Sequence, residues 1–175
     1  MKKIIYIFTV VIFSVVFFLF GFSFHPNVEY KTILEKDKFL PYASEFGFTF
    51  NYPNDMFIFR NPEDTSFIAV VPSSFKANKD EPATGVVISV SSNTEKITPL
   101  EWLKGPNSSA DLSKGYGIVN IDGQEAISLE KGTWIVFDTP NNKLQVSIAT
   151  LPGENPSQSL QEEMSSIVKS IIFTE

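Results

Sequence analysis

The sequence contains no cysteine, one histidine (His25) and one arginine (Arg60). Without cysteine there are no disulfides, no thiol nucleophiles, no thiolate zinc sites and no lipid anchor attached through sulfur. A single histidine removes clustered-imidazole metal sites and nearly every acid–base scheme that depends on imidazole. A single arginine leaves little capacity for the bidentate contacts by which proteins read phosphate and guanine. The charge balance agrees, with 14 basic against 20 acidic residues and a net charge of −6. Setting aside Lys2 and Lys3, which precede an apolar run, 12 basic residues face 20 acidic ones, so no nucleic-acid partner is expected. A glycine-rich phosphate loop is also missing. What is present is apolar: 43% hydrophobic and 14% aromatic residues, including 17 Phe, in a chain of 175. That is enough for one well-packed domain with some chain left for targeting.

The N-terminus carries the strongest local signal. From Ile4 to Phe24 there are 21 residues without a charge. As a helix rising 1.5 Å per residue they would reach about 30 Å, the thickness of a hydrocarbon core. Residues 1–24 are therefore expected to form a signal anchor crossing the cytoplasmic membrane once. Lys2 and Lys3 would hold the N-terminus inside and place the remainder outside. The competing reading is a cleaved signal peptide, with Gly21-Phe22-Ser23 providing small residues for cleavage near Ser23 and a secreted product. Residues 25–41 mix charges of both signs without sustained periodicity and read as a linker or stalk, in which His25 is an interfacial, solvated residue.

Residues 42–175 are expected to form the extracytoplasmic domain. In Phe46-Gly47-Phe48-Thr49-Phe50-Asn51-Tyr52 rings recur at every second position, which puts them on one face of a strand that Pro53 then ends. Further strands are predicted at Met56–Arg60, Phe67–Val71, Gly85–Ser91, Tyr116–Ile121, Gln124–Leu129, Trp134–Phe137 and from Leu144 through Ile148. Asp122-Gly123 is a two-residue hairpin signal. A helix is announced by Thr98, Pro99 and Glu101, a capping box with proline at the first helical position, and it should end at Gly105-Pro106. Trp102 in that helix either packs on the sheet or forms a partner contact. A closing helix is expected to start at Ser159, with Ser157 as an alternative cap. It carries Leu160, Met164, Ile167, Val168 and Ile171 on one stripe. Strands, helix, strands, helix indicate an α+β fold with a mainly antiparallel sheet covered by helices.

Gly47-Phe48-Thr49-Phe50-Asn51-Tyr52-Pro53, Leu100-Glu101-Trp102-Leu103-Lys104, Ile121-Asp122-Gly123-Gln124-Glu125-Ala126 and the helix running into Ile171-Ile172-Phe173 together resemble the PsbP-like proteins. The resemblance spans residues 42–175 in element order. It implies an α/β/α sandwich with a central antiparallel sheet, in a family that includes membrane-tethered bacterial proteins of unknown role. The family's metal-associated histidines have no counterpart in the domain, so the resemblance brings a fold and no site.

No catalytic or metal-binding residues are assigned and no cofactor is expected. Ser166 and Lys169 match a Ser-x-x-Lys spacing but fall in the closing helix. Asn120–Glu125 faintly resembles a calcium loop and lacks its first ligand and terminal glutamate. Glu63-Asp64 and Asp80-Glu81 are acidic pairs in loops, and Asn107-Ser108-Ser109 fits the glycosylation pattern. The expected function is a non-catalytic, membrane-anchored interaction module that meets another envelope protein. The alternative is an envelope hydrolase, or a small-ligand or divalent-ion binder, with a carboxylate-lined cleft. Two carboxylates in a deep pocket would favour the latter; a shallow apolar patch on the sheet or around Trp102 would favour the former.

Overall fold

The computed structural model describes residues 38–61, 64–75, 84–106, 108–151 and 156–174. All lie in the second of two compact units, Leu34–Glu175. The expected anchor at 1–24, the cleavage position near Ser23 and His25 lie outside the described residues. Among the described residues no helix is long and apolar enough to cross a membrane.

Among the described residues ten strands build two antiparallel sheets. The larger has seven strands: β3 (Met56–Asn61), β4 (Asp64–Pro72), β5 (Gly85–Ser92), β9 (Leu144–Leu151), β8 (Trp134–Asp138), β7 (Gln124–Leu129) and β6 (Tyr116–Ile121), in that spatial order. The smaller pairs β2 (Phe48–Pro53) with β1 (Phe39–Ala43) on one side and β10 (Ile172–Phe173) on the other. Two α-helices are described, the short α1 (Pro99–Lys104) and α2 (Gln158–Lys169).

This corrects the expected α/β/α sandwich. The protein is mainly β, and the layer over one face of the large sheet is the three-stranded sheet together with α2, while among the described residues the other face carries the six-residue α1 and the segment Ala110–Leu112 that follows it. The physical reason lies at the two ends of the domain. Phe39–Ala43, placed in the linker up to residue 41, is a strand whose Tyr42 lies opposite Phe50. The closing helix stops at Lys169, where the Asn51 amide donates to Ser170 Oγ at 2.8 Å and the Ser170 hydroxyl donates to the Ile167 carbonyl at 2.7 Å. Ile171, expected on the helical stripe, is buried beyond the helix, and Ile172–Phe173 pair with β2.

The main core lies between the two layers. Phe48 and Phe50 of β2 and Leu160, Met164, Ile167 and Val168 of α2 pack on Ile68, Val70, Val86, Ile88, Val146, Ile148 and Phe137 of the large sheet. Full burial of such a side chain stabilises by roughly 1.5–3 kcal/mol relative to exposure. Phe46 and Tyr52 pack against the rim of the same core, so the four rings share a face as their spacing predicts. The start of α2 follows the alternative cap. Ser157 Oγ accepts from the Leu160 amide, which leaves Ser159 inside the helix donating to Glu163. α1 forms as predicted, with Thr98 and Glu101 capping each other's backbone and the Gly105 amide donating to the Trp102 carbonyl.

Candidate functional site

Pairing fixes which side chains share a face of the large sheet. Met56, Ile68, Val70, Val86, Ile88, Val146, Ile148 and Phe137 point to the main core. Their alternates, from Phe57 and Phe59 through Val87 and Ser89 to Val136 and Ile127, point to the opposite face. On that opposite face α1 covers only the β7–β8 side. There Leu103 seals a small core of Ile127, Leu129 and Val136, with Trp102, Trp134 and Leu112 packed around it. Trp102, the candidate partner contact, is half-buried in this cluster. Trp134 adds a polar tie, its indole N–H donating to Ser147 Oγ of β9 at 2.8 Å.

Away from α1 the same face is apolar and open. Ala69, Val71 and Val87 are covered in part by Phe67, Phe75 and Leu151. On edge strand β3, Phe57 and Phe59 stand beside them, 36% and 43% exposed. The sequence did not single these two out, because Met56–Arg60 has bulky apolar residues at consecutive positions and its periodicity cannot say which ring faces outward.

A buried polar cluster lies where β8 ends. Asp138, 8% exposed, accepts through Oδ1 from Asn93 Nδ2 at 3.3 Å and from Gln145 Nε2 at 3.2 Å. Burial pushes its carboxyl above the ordinary aspartate value, and these two donors pull it back only in part. Asn93 also clamps the loop that delivers α1, donating to the Ile97 carbonyl at 2.9 Å and accepting from the Ile97 amide at 3.1 Å. Gln145 Oε1 is buried without a hydrogen-bond partner. The cluster joins three segments of one sheet end and contains one carboxylate, so it orders the loop and offers no pair for acid–base chemistry.

On the core-side face, α2 stops short of β6. An open groove of about 570 Å³ runs between them, floored by Val119, Ser128 and Ile135 and walled by Gln158, Glu162 and Lys169. Its one carboxylate, Glu162, accepts from Gln158 Nε2 at 2.9 Å. Ser166 of the Ser-x-x-Lys spacing lies in α2, where its hydroxyl donates to the Glu162 carbonyl at 2.9 Å. Asn120–Glu125 is a hairpin turn, in which Asn120 Oδ1 accepts from the Gly123 amide at 2.9 Å. Among the described residues no three His, Asp or Glu side chains come together to hold a metal ion. Asp64 is exposed at the start of β4, accepting from the amide and hydroxyl of Ser66. Glu63, Asp80, Glu81 and Asn107 lie outside the described residues.

No protein-family model matches the chain, and no curated protein matches it either.

Proposed function

We propose that the domain is a non-catalytic protein-interaction module of the cell envelope, carried outside the cytoplasmic membrane by the apolar segment 4–24 and related to the PsbP-like proteins. The observation that carries this reading is the open, apolar half of the large sheet, where Phe57 and Phe59 stand exposed beside Phe67. Side chains of that size left in water on a sheet face mark a surface that a partner covers. The partner that fits is an envelope protein presenting apolar side chains of its own. Trp102, on α1, packs in the neighbouring, separate cluster with Trp134 and Leu103. A second reading, a small-ligand binder, is favoured by the groove along α2, whose apolar floor and amide and charged walls suit an amphipathic molecule.

The test is photo-crosslinking from position 59 of the full-length chain in cells, with mass spectrometry of the product and of the chain's own N-terminus. One envelope protein captured reproducibly, and lost when Phe57 and Phe67 are both changed to Ser, supports the module. Capture that is indifferent to those changes, or an N-terminus beginning at Phe24, overturns it.

A further inference from the structure

Strand β6 ends the seven-stranded sheet, and among the described residues no strand pairs with its outer edge, which has no lysine, proline or bulge. Tyr116-Gly117-Ile118-Val119-Asn120-Ile121 contains no charge and no proline, and its first five residues are exposed. Ile118 is 64% and Tyr116 46% exposed. Proteins normally blunt such an edge with lysine, proline or a bulge, because its unpaired amides and carbonyls are a template for another strand.

The hairpin determines which backbone groups are free. Asp122 and Gly123 both have positive φ, as a two-residue type I′ turn requires, and Ile121 pairs with Gln124 across it. In such a hairpin the flanking pair exchanges hydrogen bonds and the pairs then alternate. Residues 121, 119 and 117 therefore turn their amides and carbonyls toward β7. Residues 116, 118 and 120 turn theirs outward.

The geometry points to a symmetric dimer in which β6 pairs antiparallel with β6 of a second copy, residue 118 facing residue 118 on the two-fold axis. In this register Tyr116 lies opposite Asn120 of the other copy, so all three outward residues are paired in both chains. Registers shifted by two residues leave one of them unpaired. Side chains opposite one another stay on one face, so Ile118 packs on Ile118 while Gly117 leaves room for Val119. The flanking charges lie outside the paired register: Lys114 ends a 3-10 turn with its ammonium 3.9 Å from Asp111, and Asp122 sits in the hairpin turn, accepting from the Phe173 amide at 2.8 Å. An unrelated peptide strand would satisfy the same backbone groups without the Ile118–Ile118 and Gly117–Val119 matches that this strand supplies to itself.

The absence of native cysteine makes the test direct. The full-length chain carrying Ile118→Cys is treated in cells with the shortest bismaleimide and compared with Tyr116→Cys. Position 118 lies about 5.5 Å from its counterpart, Cα to Cα, across a hydrogen-bonded pair. Position 116 lies four residue steps, about 14 Å, along the strand from its own counterpart. The expected result is a product of twice the chain mass from Ile118→Cys and at least tenfold less from Tyr116→Cys. Equal products at both positions, a product with the mass of another protein, or monomer alone from chains that melt like the wild type would each overturn the proposal.

Discussion

Phe50→Ala probes whether the small sheet belongs to the main core. Phe50 is 1% exposed, its ring 5.1 Å from Tyr42, 6.4 Å from Phe48 and 6.5 Å from Tyr52, and it packs toward α2 and the large sheet. Removing such a ring loses its transfer free energy and leaves a cavity between rigid layers, together about 3–5 kcal/mol. That is a large share of the roughly 5–15 kcal/mol by which domains are stable. At about 2–4 °C per kcal/mol for a domain approaching 150 residues, the melting temperature should fall on the order of 10 °C or more. Phe59→Ala, on the open face of β3, is the control and should cost less than about 1 kcal/mol. Thermal and urea unfolding, followed by circular dichroism, give both numbers. If the two substitutions proved equally mild, the layer formed by β1, β2 and β10 would not be packed on the large sheet, and the two-sheet description would fail.

Three further outcomes follow from particular contacts. Asp138 has a raised pKa through burial, so the native state binds its proton more tightly than the unfolded chain does. Its contribution to stability is fully present below the ordinary value of 3.8 and is lost as pH rises through the higher folded value. Asp138→Asn should therefore gain on the wild type at pH 7 and lose that advantage toward pH 4 in parallel melting curves; an advantage that grows on acidification refutes the assignment. Trp134→Phe removes the indole donor to Ser147 Oγ and should cost about 1 kcal/mol in urea unfolding, with Ser147→Ala adding little on top of it. Gly85→Ala would drive a methyl group into the Val70 carbonyl of the neighbouring strand and should destabilise strongly, whereas Gly117→Ala, whose added methyl group would meet Ser128 Cβ at an ordinary contact distance of 4.0 Å, should not; comparable melting temperatures would count against the β4–β5 register.

Local chemistry made most of the large sheet readable in advance. Alternation in Gly85–Ser91, the Asp122-Gly123 turn and the Thr98–Glu101 capping box each reflect a rule that acts within a few residues, and each element stands where that rule puts it. The second sheet was hidden because its outer strands carry no such rule. Leu40, Pro41 and Tyr42 follow charged residues and alternate poorly, and a two-residue strand such as Ile172–Phe173 is too short to have a period. Ile171 also fits a helical stripe that Ser170 interrupts through a bond to Asn51, 119 residues away in sequence. The surface features were equally silent. Phe57 and Phe59 became distinguishable from Ile58 only when pairing with β4 fixed their side of the sheet, and Asp138 became a buried carboxylate only when Asn93 and Gln145 closed over it.

Both tryptophans, Trp102 of α1 and Trp134 of β8, sit in the small cluster on the α1 side of the large sheet, and neither touches the core on the other face. Indole emission therefore follows the loosening of α1 from β7 and β8 and not the small sheet lifting from the large one. Set beside far-ultraviolet circular dichroism of the same unlabelled sample, it shows whether the two sides of the large sheet come apart in one step or in two.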